Sequence, residues 1–345
     1  MDIYKIIKLV GINKVPGFVK LLGLWSLIKL KRRFLGVFID PVAACNLRCK
    51  MCYFSNPQKR SQLKGTISED KLTTLENKIL PYALKMQIGC GTEPTLYPNL
   101  ALLIKKSKNK GVPYISITTN GQLIAQNKIS LDALIEAGLD EITISVHGTT
   151  KEIYEELMPG AKFELLTELI HKLGIIKSNT GKPLIRVNFT INSLNIENLR
   201  GNCFFSPWDD GNCKIDIIQL RPVQKIGESE WKDFDLSFLE KNYNETVGNV
   251  IERAKQRDIT CLAPTIDSLK NNFDIQDDVS ALLEDISYCY ISPDTIYKND
   301  FLPSKENIFS YLKKKKMSSL IFKTIFGKGK VRGKNTSKKL QYKVS

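Results

Sequence analysis

Three cysteines stand within eight residues, Cys45-Asn46-Leu47-Arg48-Cys49-Lys50-Met51-Cys52, at the spacing C-x3-C-x2-C. Thiolates this close in sequence reach one metal centre only if the chain between them is a loop wrapped around it. Four thiolates would close a zinc or iron–sulfur site, and three leave one metal position for another ligand. A structural zinc site completed by a distant residue is one reading, with only His147 and His171 as histidine candidates. Three unrelated thiols are the plainest alternative.

The elements that must position this loop follow a repeating order. Leu35 to Ile39 is a short apolar strand feeding directly into it. Ser68 is a suitable N-cap, with Glu69 and Asp70 placed to meet the helix dipole, and Leu72, Leu75 and Ile79 give a helical stripe. Further strands are expected at residues 84–88, 114–118, 141–146, 185–191 and 215–220, with helices between them. Six strands alternating with helices predict parallel βαβ units in an open, partial (β/α)6 barrel. The fifth strand alternates Arg186, Asn188 and Thr190 with Ile185, Val187, Phe189 and Ile191. Buried parallel strands are usually apolar on both faces, so this polar face predicts a wet, ligand-lined lumen or a solvent-facing edge.

Each remaining motif falls at a strand's C-terminal end, where such barrels carry their functional groups. Gly91-Thr92-Glu93-Pro94 follows the second strand, Thr118-Thr119-Asn120-Gly121 the third and Ser145-Val146-His147-Gly148 the fourth. With the cysteine spacing, this series resembles the radical S-adenosylmethionine (radical SAM) enzymes over about residues 34–222. The resemblance implies that Cys45, Cys49 and Cys52 bind three irons of a [4Fe–4S] cluster, the fourth iron taking the methionyl end of S-adenosylmethionine. It implies that Gly91, Thr92 and Glu93 bind the methionyl amine, Thr92 replacing the second glycine of a Gly-Gly-Glu-Pro segment. It further implies cofactor contacts from Asn120, Ser145, Asn188 and Arg221, the last two equally readable as partners within the barrel. His147 stands where related sequences often have Asp, and it reads as a loop residue with a structural hydrogen bond. Met51 takes the position of a family aromatic near the adenine, with Tyr53 following. The expected activity is reductive cleavage of S-adenosylmethionine to a 5′-deoxyadenosyl radical that abstracts hydrogen from a substrate. That substrate is a small-molecule, peptide or lipid-linked compound, with a flavodoxin or ferredoxin as electron donor. The rivals are a zinc-binding module and a non-catalytic barrel that recruits nucleic acid.

Composition separates the ends from the body. The 345 residues are 42% hydrophobic with net charge +15, of which residues 313–345 contribute +12 and residues 1–33 contribute +7, leaving 15 − 12 − 7 = −4 for the middle. An acidic body with basic ends is not a nucleic-acid-binding core. We expect residues 1–33 as a basic amphipathic helix or helices, 34–222 as the barrel, 223–312 as a helical, degenerate cap and 313–345 as a basic, partly disordered tail. A helix over about Leu236–Arg257 is expected in the cap. Cys203, Cys213, Cys261 and Cys289 lack ligand spacing, so a second cluster is not favoured and buried free thiols are expected. Lys5 and Lys8 interrupt the apolar start and no small-residue cleavage site follows, so we read no secretory leader. The expected location is cytoplasmic. The N-terminal helix is expected to dock on the body, or else both ends lie on the inner membrane face with Trp25 at the headgroups.

Overall fold

The computed structural model describes residues 15–209, 214–225, 227–270, 278–327 and 342–344. Helix α1 (Gly17–Lys29) leads to strand β1 (Leu35–Ile39), and α2 (Glu69–Lys78) to β2 (Ala83–Ile88). Then come α3 (Leu100–Asn109), β3 (Ile115–Thr119), α4 (Leu131–Glu136), β4 (Glu141–Val146), α5 (Phe163–Thr180), β5 (Leu184–Ile191) and β6 (Ile217–Pro222). The chain continues through α6 (Asn249–Gln256), β7 (Thr260–Pro264), α7 (Asp278–Ser287), β8 (Tyr288–Ile291) and β9 (Ile296–Tyr297). It ends with α8 (Ile308–Lys314), α9 (Met317–Ile325) and β10 (Tyr342–Val344).

All the strands form one sheet in the order β10-β7-β6-β5-β4-β3-β2-β1-β8-β9. The run from β7 to β8 is parallel throughout, and β10 and β9 pair antiparallel at its two edges. The first and last strands do not pair, so the sheet is a partial barrel and not a closed one. The six expected strands are its centre. Beyond them β7 extends one edge and β8 the other, so residues after 222 build sheet as well as helix.

Register fixes what the sheet encloses. Thr143 pairs with Arg186, Ser145 with Asn188 and Asn188 with Gln219, so the polar residues of β4, β5 and β6 line one face. Phe38 pairs with Gln87 and with Tyr290, which puts an aromatic wall on the same face at the β1/β8 side. Phe38 stacks on Tyr288 with ring centroids 4.6 Å apart. The opposite face, with Val37, Met86, Ile117, Ile144, Val187 and Ile218 all fully buried, packs on the helices.

The expected helix over 236–257 is broken. A short helix, Ser237–Lys241, gives way to a π-turn at Asn244–Gly248 before α6 begins. There the Thr246 hydroxyl bonds back to the Asn242 carbonyl and the Gly248 amide to Tyr243, widening the turn. Tyr342–Val344 form a strand on β7 where a solvated tail was expected after Gly327; residues 328–341 and 345 lie outside the described residues.

Helix α1 is docked on the body. Leu21 and Leu24 are buried, Gly17 lies against Val279 of α7, and Trp25 meets Phe322 of α9 edge-on at 5.4 Å. Just after α1, Arg33 donates to the carbonyls of Leu80, Ala83 and Lys110, pinning the chain beneath β2 and β3. None of the described helices is long and apolar enough to cross a membrane. A Leu21→Ala protein should lose about 2–5 kcal/mol of stability in urea unfolding, as for a fully buried leucine. An unchanged midpoint would mean that α1 is not part of the cooperative fold.

Candidate active site

The loop from Asp40 to Tyr53 leaves β1 and crosses the C-terminal ends of the strands. Its backbone is tied down on both sides: the Arg48 and Lys50 amides donate to the Pro159 and Leu157 carbonyls, and Cys52 closes a turn onto Cys49. Cys45, Cys49 and Cys52 are all half-buried. Desolvation pushes the Cys45 thiol up to about 12, and the charges of Glu93 and Cys52 add to it. Cys49 is also pushed well up, first by burial and then by the two neighbouring cysteines. Burial also raises Cys52. Three thiols held un-ionised mainly by burial form a site that a cationic centre would stabilise. The Leu47 amide lies 3.4 Å from the Cys45 sulfur, a hydrogen bond of the kind that steadies a ligating thiolate.

Two buried carboxyl groups lace this loop to its neighbours. Asp40, 1% exposed, accepts the Cys90 amide at 2.7 Å, the Thr92 hydroxyl at 3.0 Å and the Tyr290 hydroxyl at 2.8 Å. The Gly91 amide lies 3.2 Å from both of its oxygens. Glu93, 2% exposed, accepts the Thr95 amide and hydroxyl, the Thr119 hydroxyl at 2.6 Å and the Asn120 amide at 2.8 Å. Burial raises its pKa above the ordinary carboxylate value, and these bonds partly oppose the rise. The Glu93 amide in turn donates to Ala44 in the cysteine loop.

The Glu93 carboxylate, which the resemblance assigns to the methionyl amine, also has a structural part. Both of its oxygens already take donors from the protein, and it pegs the ends of β2 and β3 together. Asn120 also acts between loops, donating to the Asn46 side chain at 2.9 Å. Gly89 and Gly91 are required by close approach. At Gly89 φ is +82° and an added Cβ would stand 2.4 Å from the Thr118 carbonyl oxygen. At Gly91 an added Cβ would stand 2.7 Å from the Tyr53 hydroxyl, which donates to the Gly91 carbonyl.

The lumen below carries the remaining polar residues. Ser145 faces Asn188 across the β4/β5 pair, and the buried Asn188 Oδ1 has no partner among the described residues. Glu141 and Arg186 form an ion pair at 2.9 Å, with Arg186 also reaching Gln219 at 3.2 Å. Desolvation and then the nearby Arg221 charge bring Arg186 down to about 10. Arg221 is exposed at the end of β6, on the same face. Lys85 lies 5.1 Å from the centre of the Phe38 ring, and burial lowers its pKa. Asp40, Tyr53, Tyr290, Lys85 and Glu141 were all missed from the sequence. A polar residue directly after a predicted strand was the one local signal available, for Asp40 alone.

His147 is a structural loop residue. It is buried, its Nδ1 accepts the Thr190 amide at 3.3 Å, and its carbonyl accepts the Asn195 amide group. The proton therefore sits on Nε2. Cys261 and Cys289 are buried on β7 and β8, with six strands between them, and cannot share a cluster. Cys203 is exposed, and Cys213 lies outside the described residues.

An open parallel barrel with a three-thiol loop over its C-terminal rim defines a cluster-binding enzyme core. Residues 39–195 match the family model of the radical SAM superfamily. That stretch of the chain is a radical SAM core, of the superfamily of enzymes that use a [4Fe–4S] cluster and S-adenosylmethionine. It is similar to a probable GTP 3′,8-cyclase of Sulfolobus acidocaldarius, 26% identical over 214 residues, which are 62% of this chain and 65% of that protein. A GTP 3′,8-cyclase of Chlorobaculum tepidum is 30% identical over 147 residues, 42% of this chain and 43% of that one. The chain thus spans less than two thirds of these relatives' length. In fold it resembles Streptococcus suis SuiB bound to S-adenosylmethionine, with a TM-score of 0.57 at 17% identity over 83% of this chain and 66% of that one.

Burial lowers the His147 pKa from 6.5 to about 4, a hydrogen bond with the Val146 backbone partly opposing it. The unfolded chain then takes up the proton first as pH falls from about 6.5 to 4, so stability drops across that window by roughly 3 kcal/mol. Urea midpoints of apo-protein should fall more steeply from pH 7 to pH 4 in the wild type than in His147→Asn, which keeps an acceptor near Nδ1. Parallel slopes would show that His147 titrates alike in the folded and unfolded chain.

Proposed function

We propose that Cys45, Cys49 and Cys52 hold one [4Fe–4S] cluster, and that the rim above the lumen holds S-adenosylmethionine for radical chemistry on a substrate in the barrel. The observation that carries this is the three-thiol loop, half-buried and tied by Asp40 and Glu93 to the strand ends. Among the described residues no three His, Cys, Asp or Glu side chains are arranged to hold a single metal ion. Thiols spread around a loop suit a cluster, where each ligand meets its own iron, better than tetrahedral zinc. When bound and reduced, the cluster would supply the electron that splits S-adenosylmethionine and yields the 5′-deoxyadenosyl radical.

The protein's own part is to orient and to exclude water. The carbonyls around Gly91 and Thr92 would accept the methionyl ammonium, while Asp40 and Glu93 fix that loop in place. Asn188 Oδ1, buried without a partner, is an acceptor waiting for a donor, and a ribose hydroxyl would suit it. Ser145 lies beside it, Asn120 braces the rim, and Arg221 offers a guanidinium at the mouth. An outside one-electron donor of the flavodoxin or ferredoxin kind would complete the cycle.

For the substrate we favour an anionic small molecule. Lys85, Arg186 and Arg221 face the lumen against one carboxylate on its strands, Glu141. A nucleoside triphosphate, the compound named for the cyclase relatives, has that charge.

After anaerobic reconstitution, the wild type should hold about four irons per chain, and a Cys45→Ala/Cys49→Ala/Cys52→Ala protein should lose the cluster absorbance. Retention of four irons in the triple variant would defeat the assignment. Asn188→Ala should keep its iron and bind S-adenosylmethionine about three- to tenfold more weakly in titration, as for one hydrogen bond. Asp40→Ala should weaken the same binding by about tenfold or more, since two backbone amides and two hydroxyls lose a shared acceptor. Unchanged affinity in both variants would leave the cofactor elsewhere.

A further inference from the structure

The two basic ends of the chain, some 300 residues apart, meet on one flank of the sheet. Helices α1 and α9 pack together through Trp25 and Phe322, beside α7. Each also turns an apolar row outward. On α1, Phe18 is 51% exposed and Leu22 38%, and both stand on the side of the helix that carries Trp25 and Lys29. On α9, Phe322 and Phe326 are exposed, the latter 72%, with Lys323 between them. A helix apolar on both its buried and its outer side is not explained by packing on the body alone. The rows are continuous, because Phe322 touches Trp25 and Lys29 lies 5.8 Å from the Trp25 ring centre.

Charge says what this face fits. Residues 16–33 carry five Lys/Arg and residues 313–327 carry five more, with no acid in either stretch. Some of that charge is already engaged: Arg33 bonds backbone carbonyls, Lys315 pairs with Asp300, and Lys314 lies 3.9 Å from Glu306. Lys29, Lys31, Arg32 and Lys323 remain exposed around the apolar rows. Large exposed aromatics ringed by cations on two surface-lying helices match an anionic bilayer, apolar side chains entering the interface and lysines meeting phosphates.

We propose that the α1–α9 face is a peripheral docking surface for an anionic lipid membrane. The face lies beside β1 and β8, and α1 ends beneath the N-terminal ends of β2 and β3, where Arg33 is pinned. It therefore does not include the cysteine-loop rim. Docking would hold the enzyme at a surface without covering its mouth, so it is independent of the cofactor reading and of whether the substrate is lipid-linked.

The test uses the full chain with vesicles of phosphatidylcholine alone and of phosphatidylcholine mixed with phosphatidylglycerol. We expect co-sedimentation at least about tenfold stronger with the anionic vesicles, weakened by salt. A Phe18→Ser/Leu22→Ser/Phe326→Ser protein changes only exposed side chains and should keep its melting temperature while losing that binding by about tenfold or more. Lys29→Glu/Lys323→Glu should lose the anionic preference. Equal binding to both vesicles, binding to neither, or undiminished binding by the triple serine variant would overturn the proposal. So would a wild-type dimer in size-exclusion chromatography that the triple variant dissolves without any vesicle binding, since a second copy would then be the occupant.

Discussion

Two buried carboxyl groups hold the rim of this barrel in shape. Asp40 and Glu93 sit at the ends of β1 and β2, almost without solvent, and gather amides and hydroxyls from the loops around them. Backbone amides at strand ends have no ladder partner and cannot be buried unpaired without a penalty. A single carboxyl group that accepts several of them removes the penalty and fixes their relative positions. The cysteine loop inherits that order through the Glu93 amide and the Asn46–Asn120 contact. Disorder there would cost most, because three thiols must be presented together.

The lumen continues the same logic with side chains. Its deepest polar layer, Glu141 with Arg186, Gln219 and Tyr114, is satisfied within the protein and makes a rigid floor. A buried ion pair of this kind is weak evidence of added stability, since desolvation offsets much of the attraction. Its use is to keep a polar cavity open where apolar side chains would have filled it. Nearer the mouth, the buried Asn188 Oδ1 has no partner among the described residues.

The C-terminal region is part of this arrangement. Tyr290 on β8 reaches Asp40 across the sheet, and Phe38 stacks with Tyr288, so the strand after residue 287 helps build the rim and its aromatic wall. The pairing of α1 with α9 likewise makes the chain's two ends one surface. Tyr290 meets Asp40 because β8 pairs with β1, and α1 meets α9 beside α7.

The sequence by itself determined the parallel architecture, the position of every central strand and the cysteine loop. It did so because hydrophobic period and turn residues are local, and because each motif directly follows the strand that presents it. The polar lumen face was legible for the same reason, from the alternation in Arg186, Asn188 and Thr190. What only the tertiary structure decided was the direction in which each carboxyl group turns. Nothing local shows that Glu93 accepts Thr119 and Asn120. Asp40 and Tyr290 are 250 residues apart, and Trp25 and Phe322 nearly 300, so their contacts leave no periodic trace in the chain. Such contacts arise only when strand register and helix packing bring distant segments together, which is a property of the whole sheet and not of any window within the sequence.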